Sequence, residues 1–334
     1  MTGGTWQIFL GLRNTAPRGI AANEMRAAEA FGSRGPGAGA ALRRPGALRQ
    51  RDYRVRSTSS WTHLGYCSMS KPSVVATPYP KINAVLEELL SGVRAILGCR
   101  FVGMYLDGSL GIGDFEPDKS DIDFVVVTDG ELSPKTFRDL KTMHERIATG
   151  PSKWARELEG SYIPRHALRH DRRPAAHPYI DRGSALALVH QESGYWVIHR
   201  HMLREHGVML AGPPPRTLID PVQASELREA VLGILHEWWM PMLVDAPLLQ
   251  NGFYRCYAVL TMCRMLYTIR HGGIVSKPVA ARWAEEALDR RWTPLIRDAL
   301  AWSRDVPPDL NETLAFIRYT CEYGDHMEPS VERR

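Results

Sequence analysis

Long hydrophobic runs are missing from this chain of 334 residues. Its densest apolar stretch, 238–244, falls far short of the ~18 consecutive apolar residues of a membrane helix, which excludes a helical membrane protein. Cysteine is sparse: five residues, in no Cys-x-x-Cys or Cys-x-His spacing, give neither a disulfide framework nor a zinc ribbon. Reduced thiols and a cytoplasmic location are the expectation. No Gly-Lys-Ser/Thr occurs, so there is no P-loop, and 108–113 lacks the strand–helix setting of a dinucleotide fingerprint. Internal repeats are absent. Lysine is absent from residues 1–68, which carry ten Arg against three acids, a net of +7. The rest of the chain is then −2 within an overall +5. The basic character belongs to one end, and the body has no electrostatic case for gripping a phosphate backbone, so nucleic acid is not an expected partner.

What is present is ordinary for a globular protein: 44% apolar and 24% charged residues, with length for about two domains. Residues 1–75, rich in Gly, Ala and Arg and without period, read as a disordered basic tail that fits no secretory signal. Met69 is the expected natural start, with 1–68 upstream of it. Apolar residues at helical spacing predict a helix over 82–97. A strand over 100–106 leads into a loop rich in Gly, Asp and Pro, and the β-branched run 122–128 reads as a strand buried on both faces. Ser133 and Pro134 open a helix over 134–148 as N-cap and first residue. A further strand is expected within 154–168. These elements predict a small α/β domain over 76–210. A Pro-rich linker follows at 211–217, then an all-α bundle over 218–325 with helices at 226–239, 254–269, 277–288, from 293, and 311–322. Residues 326–334 read as a second disordered tail. The fold class is α+β: a small α/β domain with a mixed sheet, then a helical bundle.

The chemistry is concentrated in Gly108-Ser109, followed eleven residues after the serine by Ser120-Asp121-Ile122-Asp123 and a buried strand. A glycine after a strand lets a phosphate approach backbone N–H groups, and the Ser109 hydroxyl adds a donor. Asp121 and Asp123, two apart on a strand, project from one face with Cα atoms about 6.5–7 Å apart. Both carboxylates can therefore converge on one or two Mg²⁺ ions, which favour oxygen ligands and phosphates. Asp-x-Asp alone is common and usually solvated; the whole arrangement is not. His166 with His170, and His199, His201 and His206, lack the Cys or Glu that would complete a zinc set. Trp238, Trp239, Met262, Met265, Leu266, Cys256 and Cys263 read as packing.

Gly108-Ser109…Asp121-x-Asp123 resembles the signature of the DNA polymerase β-like nucleotidyltransferases. The segments 203–213, 259–267 and 272–284 resemble the aminoglycoside (3'')(9)-adenylyltransferases, with the likeness running over about 80–325. The resemblance implies a two-domain monomer with ATP and substrate in the interdomain cleft. It matches Asp121 and Asp123 to the Mg²⁺ pair and Glu159 to the catalytic base, with Glu157 as the competing acid. It matches Arg264 and Lys277 to residues that contact the nucleotide phosphates. On the residues alone, Arg264 is a guanidinium on an apolar helix face, which needs either such an anion or an acid of the helical domain. The sequence departs from the family in two places: 172–186 holds no Trp, and the acid of the second long helix is replaced by Tyr254 or its neighbours. The implied activity is Mg²⁺-dependent transfer of AMP from ATP to a small-molecule hydroxyl, as in streptomycin or spectinomycin, with release of pyrophosphate. Alternatives are AMP transfer to a protein or RNA, and a silent nucleotide-binding relative.

Overall fold

The computed structural model describes residues 76–169, 176–182, 184–190, 193–301 and 307–327. The expected tail at 1–75, residues 328–334 of the tail expected over 326–334, the start at Met69, and His170 lie outside them. His326 and Met327, expected in that second tail, instead close the last helix. In chain order the elements are α1 (Pro80–Leu97), β1 (Phe101–Leu106), α2 (Gly108–Ile112), β2 (Ile122–Thr128), α3 (Pro134–Ala148), β3 (Leu158–Pro164), α4 (Arg165–Leu168), β4 (His177–Ile180), β5 (Ala187–Val189), α5 (Ser193–His206) and β6 (Val208–Ala211). After the Pro-rich segment come α6 (Ala224–Ile234), α7 (Gly252–His271), α8 (Lys277–Ala287), α9 (Thr293–Ala301) and α10 (Leu310–Met327).

The six strands form one mixed sheet in the order β5-β4-β3-β2-β1-β6. Only β2 and β3 run parallel, and α3 makes their crossover. All seven residues of β2 are buried, which is why its sequence is a nearly unbroken β-branched run. Alternate residues of β2 serve two cores. Phe124 and Val126 pack with α1 and α3 through Leu86, Leu89, Leu140 and Ile147. Val125 and Val127 face the other way, toward Trp196 and Leu203 of α5. Helix α3 starts as its residues dictate, with Ser133 Oγ accepting the Thr136 N–H at 3.1 Å.

The helical core gathers α6 to α10 around the buried stripe of α7, which includes Val259, Met262 and Leu266. Helix α7 ends at Gly272 in the left-handed conformation, φ +69°. Tyr195, Ile198 and Met202 of α5 join this core, while Trp196 and Leu203 cover the sheet. One helix therefore ties the two halves together.

Four further expectations change. The stretch after β1 is not a loop: Gly108–Ile112 makes one helical turn. The segment 154–168 divides into a 3₁₀ turn, β3 and α4. Strands β4, β5 and β6 extend the predicted α/β unit, because their pairing is supplied by distant neighbours and not by their own three or four residues, and the 14-residue α5 joins them. The helix predicted over 226–239 starts at Ala224, where Glu226 Oε2 accepts the Gln223 N–H, and loosens to a π-turn over Leu235–Trp239.

Candidate active site

Strand parity aims the key side chains. Asp123 shares the face of Val125 and Val127, and the parallel register puts Glu159 of β3 directly beside it. Asp121, one residue before β2, has the same parity. One carboxylate oxygen from each of Asp121, Asp123 and Glu159 lies within 4.8 Å of the other two, and all three residues are buried. The backbone fixes the cluster from both sides: Ile122 N–H donates to Glu157 C=O at 2.8 Å, and Asp107 N–H donates to Asp123 C=O at 3.0 Å.

Gly108 stands against this cluster with φ +55°, and a Cβ there would come within 1.8 Å of Asp123 Oδ2. Only glycine fits. Ser109 Oγ, next along the chain, is buried without a hydrogen-bond partner. These residues line one wall of a cleft of about 190 Å³. The opposite wall comes from the helical half: Phe253, Tyr257 and Arg264 of α7, and Ser276 and Lys277 at the start of α8. Lys277 Nζ lies 5.1 Å from the centre of the Tyr257 ring.

Charge is concentrated and poorly solvated here. Burial pushes the Glu159 carboxyl well up, with Asp121 and Asp181 adding to the rise; the Tyr179 hydroxyl and Arg182 oppose it. Tyr179 OH donates to Glu159 Oε1 at 2.5 Å. Asp121 is also raised by burial, with Arg182 and Lys277 opposing. Asp107, at the end of β1, is raised to about 7 by burial, against the Gly108 N–H and the charge of Arg264. Across the cleft, burial and the neighbouring Arg264 lower Lys277 to about 8, while Asp121, Asp123 and Asp114 hold it up. Arg264 is lowered by burial, and the carboxylates that act on it are Asp114 and Asp107, both from the sheet side.

The donor set fits a hard divalent cation. It offers three carboxylates within one ion's reach, and the buried oxygens Asp121 Oδ2 and Glu159 Oε2 have no hydrogen-bond donor. With a cationic pair opposite, the cleft can hold a polyanion between positive groups and a metal site.

The N-terminal half matches the family model "Nucleotidyltransferase domain" over residues 86–154. The C-terminal half matches "Aminoglycoside adenylyltransferase, C-terminal domain" over residues 217–318. In both halves the chain is similar to the aminoglycoside adenylyltransferases. It is 29% identical over 228 residues to an aminoglycoside (3'') (9) adenylyltransferase of Klebsiella pneumoniae, covering 66% of this chain and 84% of the relative. It is 29% identical over 228 residues to a spectinomycin 9-adenylyltransferase of Staphylococcus aureus, covering 65% and 83%. The solved spectinomycin adenyltransferase of Enterococcus faecialis, crystallised with ATP and spectinomycin, shares the fold with a TM-score of 0.57 at 17% identity. That match covers 72% of this chain and 98% of that one.

Seven of the residues singled out from sequence gather at one place. Gly108, Ser109, Asp121, Asp123, Arg264 and Lys277 line the cleft, and Glu159 joins the aspartates beneath it. Glu157 turns aside to Arg182, its Oε2 3.4 Å from Nη1. Sequence reading missed Tyr179, Arg182 and Asp114. The first two sit on or after β4, whose pairing no local pattern announces. Asp114 is held by the Ser276 hydroxyl from α8, a contact only the tertiary fold creates.

Proposed function

We propose that the chain transfers AMP from ATP to a hydroxyl of an aminoglycoside-type antibiotic such as streptomycin or spectinomycin, with Mg²⁺ as cofactor and pyrophosphate as leaving group. The observation that carries this reading is the buried trio Asp121, Asp123 and Glu159 on the floor of a cleft whose far wall presents Arg264 and Lys277. The names of the relatives supply the acceptor class.

Asp121 and Asp123 would hold the divalent ion, which when bound neutralises phosphate charge. Lys277 and Arg264 hold the phosphates from the helical side, and Ser109 Oγ and the Gly108 turn orient them from the sheet side. Tyr179 occupies Glu159 Oε1, which leaves Oε2 to accept the proton of the acceptor hydroxyl. The raised affinity of that carboxylate for a proton suits the task. Phe253 and Tyr257, which line the cleft, offer aromatic faces to the acceptor.

Full-length protein, Mg²⁺ and ATP, incubated with a panel of aminoglycosides, other sugars and proteins, give the test through pyrophosphate release. The expected result is release that depends on an aminoglycoside, with Glu159→Gln still binding ATP by calorimetry but turning over at least a hundredfold more slowly. Release with proteins alone, or an active Glu159→Gln variant, contradicts the reading.

A further inference from the structure

The acidic trio already has a cation beside it. Arg182 Nε lies 4.0 Å from Asp121 Oδ2, while Nη1 of the same guanidinium lies 3.4 Å from Glu157 Oε2. The side chain is only 19% exposed, so this pair is not an ordinary solvated surface contact. Arg182 sits in the turn after β4. There the Ser184 N–H donates to Asp181 C=O at 2.7 Å, and Ser184 Oγ accepts the Asp181 N–H at 3.2 Å. Among the described residues Arg182 is the only non-glycine with a positive φ, +24°. Such a backbone is costly for a residue with a Cβ and persists only where its surroundings impose it. The turn sets where the side chain starts, and the ion pairs with Asp121 and Glu157 hold the guanidinium against the trio.

We propose that Arg182 is a resident counter-cation of the trio and competes with the incoming divalent ion for Asp121, so that its charge lowers the metal affinity of the site. The proposal rests on the reading of Asp121 and Asp123, with Glu159 beside them, as the site of the divalent ion. Three buried carboxylates within 4.8 Å of one another repel strongly, and a guanidinium at their edge relieves part of that repulsion. An ion of charge two at the same oxygens meets the guanidinium as a repelling neighbour, with little screening in a buried pocket. The penalty on the ion exceeds the penalty on a proton, because its charge is double. Glu157 gives the guanidinium a second anchor, so the arm can give up Asp121 without entering water. Arg182 also acts on Glu157 and Glu159, easing both toward the ionised form.

The test is direct titration of Mn²⁺ into the nucleotide-free full-length protein at pH 8.5, where protons compete least, with the unbound ion counted by electron paramagnetic resonance. Arg182→Gln removes the charge and keeps hydrogen-bonding capacity; it is expected to bind Mn²⁺ about tenfold more tightly than the unaltered protein. Arg182→Lys keeps the charge and is expected to stay near the unaltered value. Circular dichroism checks folding, and Arg182→Ala replaces the Gln variant if that one is unfolded. Equal or weaker binding by Arg182→Gln overturns the competition while leaving the metal site intact. A Lys variant that binds as tightly as the Gln variant overturns it too, since charge is then not the cause. If neither protein binds Mn²⁺, the cation cluster and the competition fall together.

Discussion

Tyr179 shows how much of this site depends on a single hydrogen bond. Its hydroxyl donates to Glu159 Oε1, and a donor to the ionised form of a carboxylate lowers the affinity of that group for a proton. Removing it with Tyr179→Phe must raise the Glu159 pKa further. As the proposed base, Glu159 is competent only when ionised, so the acid limb of the kcat/KM profile is expected to move to higher pH in the variant. Activity near neutrality should fall about two- to tenfold, the worth of one such bond. Steady-state kinetics over a range of pH measure this; an unshifted limb would mean that Glu159 does not carry the titrating proton. At this scale the sequence was legible where spacing alone aims side chains. Asp121 and Asp123 share a face because strands alternate, and Gly108 is a glycine because Asp123 leaves no room for a Cβ. Glu159 was reached through family resemblance, and only the β2–β3 register brings it beside Asp123 and not Glu157. Tyr179 and Arg182 had no sequence signal, because the strand and turn that present them gain their shape from β3.

Elements differ in how much of their own structure they carry. Helices α1 and α3 are long and bury a periodic apolar face, so periodicity locates them closely. Helix α7 is buried nearly all round and is marked by its length, its Asn251 cap and the closing Gly272. Strand β2 is equally plain, being buried throughout. Strands β4, β5 and β6 have four, three and four residues, too few for any pattern to rise above background. Helix α2 begins Gly-Ser and contains a second glycine, a composition with poor intrinsic helicity; its turn is held by Gly111 N–H donating to Asp107 C=O at 2.9 Å. The cap of α3 lies on the far side of the sheet from the cleft and gives a clean separation of stability from function. Ser133→Ala is expected to cost about 1 kcal/mol in urea unfolding and to leave ATP affinity by calorimetry unchanged. A loss of affinity would mean that α3 influences the cleft, which its packing does not suggest.

The molecule as a whole opposes two kinds of charge across one cleft. The sheet half supplies carboxylates whose burial raises them, and the helical half supplies Lys277 and Arg264, which burial lowers. Each half is poorly compensated alone, so the charges that burial strains most are those aimed at a common ligand. Helix α5 fixes the spacing, since its residues belong to both the sheet core and the helical core. Overall charge and composition foretold none of this. The net positive charge of the chain comes from residues 1–68, whereas the site depends on a few groups placed by topology. The most direct measurement is mass spectrometry of streptomycin and spectinomycin after incubation with ATP, Mg²⁺ and either the unaltered protein or Asp123→Ala. The account predicts an AMP adduct on at least one antibiotic with the unaltered protein and none with the folded variant. Near-normal adduct formation by Asp123→Ala would contradict it.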